Sequence, residues 1–402
     1  MFGSHRTEVL VVGAGPVGLL AALRLAESGV KVRIVDRHHR TGLHSYGLAL
    51  HARSLERLER LGVTRGLAQH GRAVGRLVFH PAGTTPREIS LDLGDGRHPG
   101  VLVLPQSRLE TELEDGLLKH GVRVQWNQRL ESLHIEGDGV VAEISHLDRV
   151  TTGYPIARSE WTVTKTSKVV ADFVVGADGY HSRVREMLAI EYVRHAPPTT
   201  YAVYEIDGDG DPGDALHVML DGGLAAVVWP MHGARRRYSF PIARVEQYEP
   251  TLDGLNRLLR ERAPTLPVVR GDLVWTSLVD FDRRLATGLG RDRVWLAGDA
   301  VHLTAPAGVQ SMNSGIIDAD ELAGRLADVL KGVRQRDALA TYDRERMDEL
   351  RLAFGDPRAL TPPEGIEPWA RDAWPAIVSS IPATGPHLDA LLTRLARSGA
   401  RA

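Results

Sequence analysis

The sequence contains no cysteine. That removes disulfides, thiolate metal sites, cysteine nucleophiles and any dithiol redox pair, so redox chemistry would need a bound cofactor. Basic residues are not in excess, with 49 Lys and Arg against 51 Asp and Glu. No nucleic-acid partner is therefore expected. No apolar run approaches the roughly 18 residues of a spanning helix, so no membrane association is expected either. The early run "VLVVGAG" breaks at glycine within a few residues, unlike a secretory signal. These absences lead to the expectation of a cytoplasmic protein. The 17 histidines are scattered, with neither H-x-x-x-H nor H-E-x-x-H, and no metal site is expected. Repeats and low-complexity tracts are absent.

What is present begins with a nucleotide signature. With 43% hydrophobic residues among 402, the chain can bury a sizeable core in two or three domains or one discontinuous fold. "TEVLVVGAGPVGLLAALRLAESGVKVRIVDRHHR" predicts strand, tight turn, helix and second strand. Val9 to Val12 are continuously apolar, as in a strand buried on both faces. Gly13, Gly15 and Gly18 then form G-x-G-x-x-G around Pro16 and Val17. The first glycine permits the tight turn, the second the close approach of a pyrophosphate, and the third close helix–strand packing. Asp36 closes the second strand, where a carboxylate can accept hydrogen bonds from ribose. The motif by itself leaves FAD and NAD(P) both open.

Two later stretches narrow the choice. "ADFVVGADGYHSRVRE" runs a strand into Asp178-Gly179, Ser182, Arg183 and Arg185, and "DRVWLAGDAVH" runs another into Gly298-Asp299. "GDAVHLTAPAGVQSMNSGIIDAD" follows from Gly298. Together with G-x-G-x-x-G, these motifs resemble those of the class A flavoprotein monooxygenases, the family of para-hydroxybenzoate hydroxylase and the polyketide aromatic hydroxylases. "LPQSRLETELEDGLLKHGVRVQ" is a fourth match. The resemblance covers roughly residues 7 to 350.

The resemblance implies FAD as cofactor and NAD(P)H as co-substrate. It places Asp299 on a ribityl hydroxyl and runs Pro306, Gly308, Val309, Gln310, Ser311, Met312 and Asn313 along the isoalloxazine ring. Gln106 and Arg108 approach the flavin side. Arg53 matches an arginine that reaches FAD, with Arg37 or Arg108 as a further cation. Asp178 supports FAD and NAD(P)H; its plainer reading is an Asp-Gly turn capping a helix. Two departures stand out. Where the family has G-G-Q-G, this chain has Gly308-Val309-Gln310-Ser311; valine disfavours positive φ, so either the loop is reshaped or its angles are ordinary. Tyr46 occupies a position where the family commonly has a second arginine.

The fold class expected is α/β: a Rossmann-like FAD-binding domain, a β-sheet-based substrate domain as in para-hydroxybenzoate hydroxylase, and C-terminal helices. The FAD domain is assigned residues 1–75, 100–188 and 286–335, and the substrate sheet 76–99 and 189–285. A C-terminal helical segment takes 336–402, with a Pro-rich break and a short tail. Period-two alternation between 190 and 285 predicts an antiparallel sheet with one covered face. Tyr201, His217, Trp229 and Tyr238 are candidate substrate contacts on that sheet. No catalytic residue is assignable from spacing.

The function implied is hydroxylation of an aromatic or polyketide-like substrate by NAD(P)H and dioxygen through a flavin hydroperoxide. A monomer or homodimer is expected. The alternatives are a related FAD-dependent reductase or dehydrogenase, and a non-catalytic FAD-binding module. Halogenases are disfavoured because W-x-W-x-I-P is missing.

Overall fold

The computed structural model describes residues 5–39, 47–93, 97–152, 158–221 and 223–398; Tyr46 lies outside them. Its first sheet is built on three parallel pairings. Strand His5–Val12 pairs in parallel with Val32–Val35 on one side and Arg158–Gly176 on the other, and the last of these pairs with Val294–Leu296. The register sets Val12 beside Gly176, and Gly176 beside Leu296. Three motifs far apart in sequence therefore open from adjacent strand ends: Gly13, Asp178 and Gly298. Asp36 follows the fourth end, after Val35. The carboxyl ends of parallel strands are where such sheets bind ligands.

Helix Pro16–Glu27 covers this sheet with Leu19, Leu20, Leu23 and Leu25 buried, and the long helix Gln310–Leu330 packs beside it. Val9, Leu10, Val11, Val174 and Leu296 are fully buried between the layers, which explains their unbroken apolar runs.

A second sheet carries eight strands among the described residues, in the order His302–Leu303, Gly271–Ala286, Tyr192–Gly208, Arg235–Ile242, Leu224–Pro230, Ala215–Asp221, Arg76–Pro81 and Arg87–Ser90. The strands between 190 and 285 pair antiparallel, as expected, and the sheet becomes mixed only where Ala215–Asp221 pairs in parallel with Arg76–Pro81. Helix Leu252–Arg262 covers one face through Leu255, Leu258 and Leu259. The other face packs Leu216, Val218, Val227 and Trp229 against C-terminal helices through Ile377, Val378 and Ile381.

The segment after the Pro-rich break is thus no simple tail. Helices Pro368–Asp372, Trp374–Ser380 and Pro386–Ser398 follow. Periodicity does not reveal them, because the first two are short and the break is rich in proline. No described helix is long and apolar enough to cross a membrane.

Candidate functional site

A cavity of about 790 Å³ lies between the two sheets. It runs from Ala14, Gly15 and Asp36 at the first sheet's strand ends, past Gln106 and Glu110, to Asp299, Pro306, Val309, Ser311 and Met312. Val279 to Asp282, Arg194 and Pro198 form the wall contributed by the second sheet, with Tyr180 beside them from the segment after strand Arg158–Gly176.

The glycine turn is built as its spacing predicts. Gly13 has φ +103, and a Cβ there would overlap the backbone of Ala177. A Cβ on Gly18 would overlap the Gly13 carbonyl oxygen, so helix and turn meet backbone to backbone. Gly15 differs: a Cβ there meets nothing within 4 Å and points into open space. Helix Pro16–Glu27 has no side-chain cap, so the positive end of its dipole is left for a ligand. Asp36 pins the turn, accepting from the Ala14 N–H at 2.7 Å and from the His38 N–H at 2.8 Å.

The carboxylate of Asp299 is the clearest sign of a missing partner. It lines the cavity, and no hydrogen bond to it exists among the described residues, although its backbone carbonyl accepts from the Tyr192 hydroxyl at 3.0 Å. Burial pushes this carboxyl upward in pKa. A ligand hydroxyl at this point would supply the bond. The turn beneath it is held by a fully buried network. Asp318 accepts from the Gly298 N–H at 3.0 Å, pairs with His302 Nε2 at 2.7 Å and accepts from Arg346 Nε at 2.6 Å. His302 thus ties this turn to helix Gln310–Leu330.

Val309 resolves the first departure in an unexpected way. The angles are not ordinary: Val309 sits at φ 50, ψ 36 in the left-handed region and precedes helix Gln310–Leu330. For a β-branched residue this costs on the order of 1–3 kcal/mol. The surroundings impose it. Its carbonyl accepts from Asn313 Nδ2 at 2.8 Å, its N–H donates to the Pro306 carbonyl, and its side chain is buried in the sheet–helix cluster.

Other assigned residues divide. Gly298 shapes the turn at φ +67, and Pro16 and Val17 lie at the start of the glycine-turn helix, Val17 against Gly298 and Gly315. Arg37 and Asp178 border a smaller cleft of about 210 Å³ with Gly13 and Gly15. Asp178 also accepts from the Arg183 and Val184 N–H groups and from Ser182 Oγ, so the helix-capping reading describes its geometry. Arg185 is buried and joins two motifs, donating to the carbonyls of Ala300 and Tyr180.

Several residues assigned through the resemblance face elsewhere. Arg53 does not line the cavity; its guanidinium pairs with Glu349 on helix Asp337–Phe354. Arg108 does not line it either, since two residues on from Gln106 a helix has turned away, whereas Gln106 and Glu110 share a face. Gln310 Nε2 donates to the carbonyls of Val378 and Ile381. Gly308 packs against the carbonyls of Ser379 and Ile381. Asn313 is buried, bonding His51 and Ala49 backbone.

None of the four substrate candidates lines this cavity. Tyr201 lies one layer behind it, edge-on to Phe281 at 5.7 Å between centroids. Trp229 is covered by the C-terminal helices. His217 and Tyr238 are on the opposite face, beside the helix Leu252–Arg262. The alternation holds, but it leaves open which face meets the ligand. Glu110, Trp126, Tyr180, Arg194, Asp280 and Asp282 line the cavity without having been singled out from the sequence. Glu110 alone carried a signal, at i+4 from Gln106, whose Nε2 donates to it at 2.8 Å. Burial pushes its carboxyl up to about 7.

Residues 6–353 match the FAD binding domain family. The chain belongs to the class A flavoprotein monooxygenases. It is 32% identical over 364 residues to 6-methylpretetramide 4-monooxygenase of Streptomyces rimosus, covering 85% of this chain and 59% of that protein. With pentachlorophenol 4-monooxygenase of Sphingobium chlorophenolicum it shares 29% identity, over 85% of this chain and 62% of that one. This chain thus spans about three-fifths of these two relatives. Among solved structures, p-nitrophenol 4-monooxygenase from Pseudomonas putida superposes with a TM-score of 0.75 at 21% identity, covering 99% and 95% of the two chains. Aklavinone-11 hydroxylase, solved with FAD and aklavinone, gives 0.69 at 28% identity, covering 87% and 67%.

FAD is the cofactor of this family, and the cavity fits it. The Gly15 opening and the unpartnered Asp299 carboxylate stand at separate points along its lining, as an extended dinucleotide requires. Asp299→Ala is expected to weaken FAD binding by about tenfold or more, since a hydrogen bond to a charged group contributes roughly 1.5–3 kcal/mol. Flavin titration would measure this, and thermal melting of the apo-protein should change little. A melting collapse with unchanged affinity would make Asp299 structural.

Proposed function

We propose that the protein is an FAD-dependent monooxygenase that hydroxylates an aromatic or polyketide-like substrate with NAD(P)H and dioxygen. The observation that carries this reading is the composition of the cavity wall opposite Asp299 and Met312. There, Val279 and Phe281 offer an apolar surface while Tyr180, Arg194 and Asp282 form a polar group beside it. Such a wall suits a flat ring bearing a hydroxyl.

Bound FAD supplies hydride acceptance from NAD(P)H and activation of dioxygen. The chain's own residues orient and enclose. Leu303, Pro306, Val279 and Phe281 exclude water from the reacting end. Asp282 accepts from Tyr180 Oη at 2.7 Å, from Arg284 Nε at 2.8 Å and from Arg194 at 3.2 Å. Burial alone would raise its pKa, but those three hydrogen bonds hold the carboxyl below the usual range. The ionised Asp282 thereby fixes Arg194 at the wall, where its cation favours the phenolate form of a substrate, the better nucleophile.

The relatives' names support the substrate class, as they specify 6-methylpretetramide, pentachlorophenol and, for a further Streptomyces rimosus monooxygenase, anhydrotetracycline. In this reading, residues 1–75, 100–188 and 286–335 hold FAD. Residues 76–99 and 189–285 wall the substrate, and 336–402 brace both. The protein works in the cytoplasm, where NAD(P)H is supplied, as a monomer or homodimer.

The test is oxygen uptake and NAD(P)H oxidation by purified holoenzyme with a panel of phenols and polycyclic phenols, with products analysed by mass spectrometry. Substrate-stimulated uptake and a product gaining one oxygen atom are expected. Flavin reduction coupled to a reduced product without oxygen incorporation would replace this reading by the reductase. A flavin that no tested compound helps NAD(P)H to reduce would favour the binding module.

A further inference from the structure

A second cavity, of about 470 Å³, lies on the face of the eight-stranded sheet away from the flavin cavity. Register assigns the faces. Tyr201 pairs with Val279 across neighbouring strands, and Val279 lines the flavin cavity. Tyr238 pairs with Tyr204, which packs in the cluster under helix Leu252–Arg262. Sides alternate along a strand, so Tyr201 and Tyr204 point to opposite faces, and the cavity bordered by Tyr238 is separated from the flavin by the sheet.

Its floor is His217, Val228 and Tyr238, and its apolar wall is Leu266 to Val269. Arg236 and Arg270 stand at it against the carboxylate of Asp209, so positive charge is in excess among its lining residues, and the nearby Asp211 carboxylate is paired with Arg72. Three further observations point to a ligand. Tyr238 is only 5% exposed, yet its hydroxyl has no hydrogen-bond partner among the described residues. Arg236 is close enough to oppose the upward effect of burial on that phenol, so cation and hydroxyl address one region. His217 uses Nδ1 on His80 Nε2 at 3.0 Å, and His80 Nδ1 meets Thr265 Oγ1 at 3.0 Å. That chain leaves His217 Nε2 as the ring's unused nitrogen. When Thr265 donates to His80 and His80 to His217, the Nε2 carries a hydrogen.

We propose that this cavity is an accessory binding site for a small apolar carboxylate. Arg236 and Tyr238 hold the carboxylate, His217 Nε2–H donates a further bond, and Leu266 to Val269 cover the apolar body. Arg236 already donates to the Asp211 backbone carbonyl at 2.9 Å, which orients its guanidinium and leaves its other donors for the ligand. Asp209 disfavours a second negative charge on the ligand.

The probe is 4-fluorobenzoate, followed by fluorine NMR on the FAD-loaded protein, with the flavin absorption recorded in the same titration. Saturable binding without change in the flavin spectrum is expected. Arg236→Gln should weaken it about tenfold, and Tyr238→Phe, which preserves the ring packing, by a few-fold, consistent with loss of hydrogen bonds to a charged group. 4-Fluorobenzylamine, the cationic counterpart, should not compete. No binding at millimolar concentration overturns the proposal. So does binding indifferent to both substitutions, equal binding of the amine, or binding whose affinity matches a flavin spectral change, which would place the probe in the flavin cavity. Because the readout is binding on the outer face, it is independent of whether any aromatic substrate is hydroxylated.

Discussion

Gly15→Val is expected to give a folded but colourless protein, whereas Gly18→Val is expected not to fold. The two glycines share one turn, and their surroundings make the difference. At Gly15 the backbone is extended, φ -74 and ψ -178, a conformation valine adopts readily. No protein atom lies within 4 Å of where its Cβ would stand, and the residue lines the cavity. The added side chain would occupy only the path of the pyrophosphate. A loss of FAD affinity of about a hundredfold or more is expected, equivalent to roughly 2.7 kcal/mol. At Gly18 a Cβ would overlap the Gly13 carbonyl oxygen, forcing apart the helix and strand of the buried core. The ratio of flavin to protein absorbance, with circular dichroism, separates the outcomes. A yellow Gly15→Val protein would sink the assignment of this turn to the pyrophosphate.

Asp318→Ala should be among the most destabilising single substitutions in the chain, at about 3–5 kcal/mol. Asp318 is completely buried and bonds Arg346, His302 and the Gly298 N–H. Removing it leaves a buried guanidinium facing a void, and loosens the turn that presents Asp299. Burial alone would raise the Asp318 pKa, but Arg346 beside it, aided by His302, holds the carboxyl down at about 2. The unfolded value is about 3.9. A depressed folded pKa means stability fully present above pH ~4 and lost as the pH falls through about 2. Urea denaturation at about pH 6, well above both values, should show the large loss. In Asp318→Asn, which keeps the shape but not the charge, the acid-dependent fall between about pH 4 and 2 should be shallower than in the parent. A cost below about 1 kcal/mol for Asp318→Ala would show the network to be dispensable.

The nucleotide half was legible because its determinants are local. A continuous apolar strand, glycines at fixed spacing and an acid after the next strand specify one βαβ unit. Gly13, Gly15, Gly18 and Asp36 stand where that pattern sets them. Asp299 was singled out through the resemblance, and the strand running into Gly-Asp does end at the cavity. Arg53 was misplaced for the opposite reason. Its motif match was sound as a string, but its partner, Glu349, lies 296 residues away on a helix whose packing no spacing reveals. Val309 shows a third situation, in which residue preference argued against a conformation that tertiary contacts impose.

Dinucleotide binding at parallel strand ends was thus written into the order of residues, and the composition required a bound cofactor for any redox chemistry. Those conclusions follow from backbone constraints at glycine and from the lack of thiols, and neither depends on distant neighbours. What walls the cavity was settled in three dimensions. The face of the second sheet that borders this cavity is set by strand register across several crossovers. Alternation guarantees two faces. It is the packing of helix Leu252–Arg262 on one and of the C-terminal helices on the other that decides between them. That packing put Phe281 and Asp282 on the wall of the cavity that holds Asp299, and turned His217 and Tyr238 away from it toward a cavity of their own.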